Sequence, residues 1–347
     1  MATIRDVARE AGVSIGTVSN VLNGLASVTE SNRQKVLHAV EKLGFKKSYA
    51  ASLLRAKTSR SVGLVIPDIT NPFYPEIARG VEDMASASGY TLVLCNFDRS
   101  RGKEEAALEV LLAQDIAGII LVKTCLSHER LAAIRRRCAL VLMDAPPGIA
   151  DCDCVNVDDD EGIRGAVHQI CVMGHTRLGF VGGRTDSYSS QRRVTTFTET
   201  MQSLSIPIHE GYLVRGDYSM ESGRRAVEQM MSLPQPPTVI LCANDMMAIG
   251  VLLRAIEMGF RIPKDLSIVG YDDSQVVKYV RPELTTVWHP KYEFGQMGAE
   301  FLLRRIKARQ EGSKLSWQTV RMSTKFIRRE TLAAPRSTTH AIHALLP

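Results

Sequence analysis

Residues 3–24 read TIRDVAREAGVSIGTVSNVLNG. Thr3 stands where a helix N-cap would, with Asp6 three residues on as its capping-box partner. Ile4, Val7, Ala8 and Ala11 then recur at the spacing of one apolar helical face, and Gly12 stops the helix. Ser14 caps a second helix whose Val18, Val21 and Leu22 share a face, and Asn23-Gly24 end it. A connection of about three residues allows only a crossed, closely packed pair, the helix-turn-helix layout. A third helix begins near Thr29–Ser31, with Val36, Leu37, Val40 and Leu43 as its inner face and Gly44 as its end.

The outer face of the second helix carries Ile15, Gly16, Thr17, Ser19, Asn20 and Asn23, with Ser14 at its start. A helix facing only water usually carries Lys and Glu; this face has neither. Short side chains let a helix sit deep in the major groove, Asn pairs with adenine, and hydroxyls and the helix N-terminus meet phosphates. A generic three-helix bundle with a small polar face is the alternative.

Charge separates the chain in the same place. Of 43 Lys+Arg and 37 Asp+Glu, residues 1–60 hold ten and four, so the whole net charge of +6 lies there and the other 287 residues sum to zero. A small basic unit on a neutral body points to an anionic polymer as partner. A second basic stretch, 304–336, reads as solvated surface. At 347 residues the chain exceeds one core, and its ordinary composition (45% hydrophobic, 23% charged) excludes a disordered or fibrous protein. The start, MATIRDVAREAG, has no basic segment followed by an apolar core, and no membrane-length apolar run occurs, so a cytoplasmic protein without membrane association is expected. The seven cysteines are scattered, form no disulfide framework or zinc cluster, and read mostly as small buried hydrophobes.

These residues resemble the DNA-binding domain of the lac/gal repressor family of bacterial transcription regulators. The pattern T-I-x-D-V-A-x-x-A-G-V-S-x-x-T-V-S-x-V-L-N is filled position by position. The resemblance implies that Ile15, Gly16 and Asn20 read bases. It further implies a hinge within Phe45–Leu54, where Ala51 and Leu54 match the family pattern while Lys47 and Ser52 depart from it. Leu54 would wedge into the minor groove, with Arg55 and Lys57 against phosphates; a flexible linker is the alternative.

From Ser61 short apolar runs alternate with helical stretches. The strands expected are Val62–Ile66, Thr91–Cys95, Gly118–Val122, Leu140–Met143, Leu178–Val181, Tyr212–Val214, Val239–Cys242 and Leu266–Val269, with helices such as Glu76–Ser88 and Lys103–Ala113 between them. That alternation predicts parallel sheets covered on both faces, best as two doubly wound halves. No phosphate-binding glycine motif and no nucleophile elbow is present. His128, His168, His175, His209 and His289 lack metal spacing, and Asp158–Glu161 reads as a solvated first helical turn. Neither catalysis, a cofactor nor a metal is expected. Polar residues do gather after strand ends: Asp68, Asn71 to Tyr74, Asp144, Asn244-Asp245 and Asp272-Asp273. Such positions line the ligand crevice of open sheets. Asn71 and Asp245 have helix capping as an alternative, and Phe73 a place in the core.

The resemblance extends over nearly the whole chain through GLVIPDITNPFY, FVGG, ANDMMAIG, LSIVGYDD and PELTTV. It implies an all-α helix-turn-helix DNA-binding domain plus an α/β periplasmic-binding-protein-like core of two doubly wound lobes. The division is 1–46 for the DNA-binding domain, 47–60 for the hinge, 61–337 for the core and 338–347 for a tail. Lobe one spans about 61–158 and 291–322, and lobe two about 159–290 and 323–337. The implied effector contacts are Phe73, Tyr74, Asp144, Arg193, Tyr218, Asn244 and Asp272, with Lys123 a further candidate that would favour an acidic effector. The implied function is a homodimeric repressor on near-palindromic double-stranded DNA, controlled by a sugar or sugar-like small molecule. A sugar-binding protein of a transport system would share the core but would need export.

Overall fold

A computed structural model describes residues 2–22, 28–45, 59–149 and 151–336. Residues 1–59 and 60–347 form two compact units.

The small unit has three helices, α1 (Ile4–Ala11), α2 (Ile15–Leu22) and α3 (Glu30–Lys42). Thr3 and Asp6 form the expected capping box, and Gly12 closes α1 at φ 64°. Val7, Ala8, Ala11, Val18, Val21, Val36 and Ala39 make the shared core. Leu37, expected inside, is 46% exposed. The inner stripe of α3 runs instead through Val36, Ala39 and Val40, at the i, i+3, i+4 spacing.

The large unit contains twelve strands among the described residues: β1 Ser61–Ile66, β2 Thr91–Asn96, β3 Gly118–Val122, β4 Ala139–Met143, β5 Asp153–Val157, β6 Leu178–Gly182, β7 Leu213–Arg215, β8 Val239–Cys242, β9 Ser267–Val269, β10 Thr286–Trp288, β11 Thr319–Met322 and β12 Lys325–Ile327. One parallel sheet has the order β11-β5-β4-β3-β1-β2 and a second has β7-β6-β8-β9, while β10 and β12 pair antiparallel. The eight expected strands form within a residue or two of their predicted bounds. β5, β10, β11 and β12 escaped the sequence pattern. They are short and mix polar with apolar residues, and the β5–β11 and β10–β12 pairings join segments far apart in the chain, such as Val155 with Val320.

The helices are α4 (Phe73–Ala87), α5 (Arg101–Ala113), α6 (His128–Arg137), α7 (Asp159–Val172), α8 (Tyr188–Ser203), α9 (Met220–Met231), α10 (Asp245–Glu257) and α11 (Lys291–Glu311). Alternation along β1 assigns the layers. Val62, Leu64 and Ile66 pack with Ile77 and Val81 of α4 and Phe294 and Leu302 of α11. Val65 faces the other way, toward Leu108 and Leu111 of α5 and Ile134 of α6. The chain passes between the two sheets after β5, again between β10 and α11, and a third time between β11 and β12. At one of these crossings α11 lies on α4 nearly backbone to backbone. A Cβ on Gly80 would stand 2.1 Å from the Tyr292 carbonyl, and one on Gly295 would stand 2.2 Å from that of Ile77. No helix of the described residues is long and apolar enough to cross a membrane.

One charge reading needs correction. Within 304–336, Arg305 is 7% exposed and is held by the fully buried Asp153, and Arg329 pairs with Asp273 at 2.6 Å. This stretch is therefore not uniformly solvated. Most of the cysteines are buried or half-buried as expected: Cys138, Cys152, Cys154 and Cys242 are buried, Cys95 and Cys171 half-buried, and Cys125 exposed.

Candidate functional site

On α2 the Ser14 hydroxyl accepts from the Thr17 amide at 3.1 Å and lies 2.9 Å from the Thr17 hydroxyl, so the helix start is capped by the residues expected at the interface. Ser14, Ile15 and Gly16 are exposed, and Thr17, Ser19 and Asn20 are half-buried. Asn23, Ala51, Leu54, Arg55 and Lys57, also expected at DNA, lie outside the described residues.

In the large unit a cavity of about 250 Å³ is lined by Asn71, Phe73, Tyr74, Arg99 and Lys123 from the first sheet's side and by Arg193, Tyr218, Asn244 and Asp272 from the second's. Six of the seven expected effector residues line it. The seventh, Asp144, stands behind it, 2.9 Å from the Lys123 ammonium. Nearly all of them follow the carboxyl end of a parallel strand, where the helical N-termini and freed backbone leave a crevice.

The backbone is strained where the side chains enter. Arg99 (φ 56°), Lys123 (54°), Asp144 (54°), Tyr218 (73°) and Asp272 (113°) all have positive φ. An L-residue pays about 1–2 kcal/mol in the left-handed region, and such cost persists only where neighbours impose it. Ladder bonds impose it here. The amide of Lys123 donates to the Met143 carbonyl at 2.9 Å, that of Asp144 to Val155 at 3.0 Å, and that of Asp272 to Val287 at 2.8 Å.

Arg193 is 3% exposed and organises the second side. Its Nε and Nη2 reach Asp159 Oδ1 at 3.0 and 2.8 Å, its Nη1 donates to the Ala243 carbonyl, and its guanidinium stacks 3.7 Å over the Tyr271 ring. Asp159 also accepts from the Tyr271 hydroxyl at 2.8 Å. The acidic run 158–161 is thus only partly the solvated turn expected of it. Asp158 caps α7, but Asp159 turns inward, and burial raises its pKa above the ordinary carboxylate range despite Arg193. Asp272 is 5% exposed, its carboxylate 3.9 Å from Arg193 Nη1 and bordering the cavity. Burial pushes its pKa up to about 6, with Arg193 and Lys291 pulling against the rise. Burial is the largest single influence on the Lys123 ammonium and disfavours it, but Asp144, Tyr74 and Tyr218 together outweigh it and raise its pKa.

The capping alternatives resolve by residue. Asn244, not Asp245, caps α10, accepting from the Met247 amide at 3.0 Å while donating to the Tyr218 carbonyl at 3.1 Å. Asp245 is fully buried and accepts from the Ser274 amide and the Thr286 hydroxyl. Asn71 accepts from the Phe73 amide at 3.0 Å and lines the cavity as well. Phe73 is 4% exposed, edge-on to Tyr74 and His289, and is both core and cavity wall. Sequence reasoning missed Arg99, although it follows β2 as the other polar residues follow their strands. It also missed Ser189, whose hydroxyl accepts from Lys123 Nζ across the cavity at 3.1 Å.

A family profile described as bacterial regulatory proteins, lacI family, matches residues 3–48, and one described as a periplasmic binding protein-like domain matches residues 167–332. The catabolite control protein A of Priestia megaterium is 34% identical over 304 residues, 87% of this chain and 92% of that protein. The chain belongs to the lacI family of bacterial regulatory proteins. The HTH-type transcriptional repressor PurR of Proteus mirabilis is 33% identical over 338 residues, 96% of this chain and 97% of the relative. Among solved structures, the Lac repressor dimer bound to operator and the anti-inducer ONPF superposes with a TM-score of 0.84 at 26% identity, over 96% of this chain and 99% of that one. A transcriptional regulator CelR–cellobiose complex gives 0.71 at 26% identity, over 95% and 100%. The expected fold, a lacI-type helix-turn-helix domain followed by a periplasmic-binding-protein-like α/β core, is therefore the fold of this family member.

Proposed function

We propose that this family member is a cytoplasmic, homodimeric repressor whose affinity for a near-palindromic operator is set by a small hydroxyl-rich effector, a sugar or sugar-like metabolite, held between the two sheets of the core. The observation that carries the effector reading is the cavity itself. It joins both sheets, five of the residues in and around it have positive φ, three of these are held by ladder bonds, and the buried Asp272 borders it. Carboxylates accept from ligand hydroxyls, and the rings of Phe73 and Tyr218 suit apolar C–H faces. The lobes divide near 158, 290 and 322, and effector binding alters the angle between them. The Lac repressor structure, a dimer on operator, supports two copies presenting two α2 helices to successive major grooves. In the hinge, Leu54 would wedge into the minor groove with Arg55 and Lys57 against phosphates, and Ala51 would lie at the DNA.

The test is a salt-controlled anisotropy titration of the full chain on duplexes selected from a randomised pool, with and without sugars and related metabolites found to raise its melting temperature. We expect one palindromic sequence to be preferred and its affinity to change with the ligand. Equal affinity for every duplex would overturn the operator reading. Within the same assay, Asn20→Ala is expected to relax preference at one base pair per half-site, by about 1–3 kcal/mol. An unchanged base-substitution profile would remove Asn20 from base reading.

A further inference from the structure

The cations around the cavity are not equivalent. Arg193 is matched by Asp159 at 2.8 Å and Lys123 by Asp144 at 2.9 Å. Arg99 is half-buried, lines the cavity, and forms no hydrogen bond or ion pair with any described residue; its guanidinium lies 5.3 Å from the centroid of the Tyr218 ring. It is presented there by two successive left-handed residues, Asp98 (φ 49°) and Arg99 (φ 56°), while Asp98 turns away to Lys103. Lys123 Nζ lies 5.7 Å from the same ring and 5.6 Å from that of Phe73. Tyr218 is 8% exposed, and its hydroxyl is buried without a hydrogen-bond partner among the described residues. A buried hydroxyl left unpaired is costly, so its place beside two cations needs a reason. The cavity lining thus combines an unmatched guanidinium, a phenol donor and an ammonium paired with Asp144 with the Asp272 carboxylate and Arg193.

We infer that the effector is an anion, a polyhydroxylated small acid whose carboxylate or phosphate lies against Arg99, Lys123 and Tyr218 while its hydroxyls face Asp272. The guanidinium fork suits either oxyanion, and hydrogen bonds between ions are about twice as strong as neutral ones. A neutral sugar would leave Arg99 unmatched and the Tyr218 hydroxyl with a weaker partner. This inference rests on the cavity being the effector site.

The experiment is a thermal-shift and calorimetric comparison of matched sets: each of several hexoses and pentoses with its aldonic or uronic acid and its phosphate ester, on the full chain. We expect an acid or phosphate to bind at least roughly tenfold more tightly than its neutral parent, with the better of the two deciding between carboxylate and phosphate. Arg99→Gln should lose that advantage, and Arg99→Lys should restore part of it. A neutral sugar binding as tightly as its charged forms, or an acid held equally by Arg99→Gln, would overturn the anion while leaving an effector in the cavity. Binding that survives both Arg99→Gln and Asp272→Asn would place the ligand elsewhere and overturn the cavity reading with it, as would the absence of any shift across all the sets.

Discussion

Asp153→Ala is expected to destabilise the core by about 3–5 kcal/mol, because it strands a buried guanidinium. Asp153 is fully buried at the start of β5, and Arg305 on α11 reaches its two oxygens at 2.8 Å each. Asp153 also accepts from the Gln318 amide at 2.9 Å, and Arg305 donates to the carbonyls of Leu315 and Ser316 at 2.9 and 3.1 Å and lies 3.9 Å over the Trp317 ring. The pair therefore ties α11, β5 and the segment leading into β11. The cost arises from leaving one ion unmatched rather than from a large net worth of the pair. Asp153→Leu combined with Arg305→Met should accordingly come back most of the way toward the parent. Denaturant unfolding of Asp153→Leu, Arg305→Met and the double variant measures this as a cycle, and purely additive losses would show that the ions act independently.

Asp272→Asn should weaken effector binding by roughly ten- to a hundredfold, the worth of hydrogen bonds to a charged acceptor, while operator affinity without effector is retained. Calorimetry and anisotropy on the same preparation separate the two. The pH dependence has a definite sign. Burial raises the Asp272 pKa from 3.8 to about 6, so in the unliganded protein its contribution to stability is full below the lower value and is lost as pH rises through the upper one. Ligand hydroxyls need the ionised form. Affinity should therefore rise with pH through about 6 and level off above it, and Asp272→Asn should flatten that profile. A parent protein whose effector affinity is the same on both sides of this window would detach Asp272 from the ligand.

Much of the cavity was legible because one rule locates it. Polar residues after apolar parallel strands line the crevice, and Phe73, Tyr74, Lys123, Asn244 and Asp272 follow that rule directly. Arg193 came from the family resemblance, since it lies within α8 and nothing local marks it. Asp159 was misread because an acidic first turn is normally solvated; its inward turn depends on Arg193 and Tyr271, 34 and 112 residues away.

Local chemistry alone determined the helix pair of residues 3–22 and the apolar strands of both sheets. Caps, glycine stops and periodicity act over a few residues and are written in consecutive positions. Tertiary structure alone decided that Thr319–Met322 joins β5, that Arg305 is buried against Asp153, and that Arg99 stands beside Tyr218. Each of these depends on segments brought together by the three crossings between the sheets, and the free energy of such a contact depends on its surroundings, which no short stretch of chain contains.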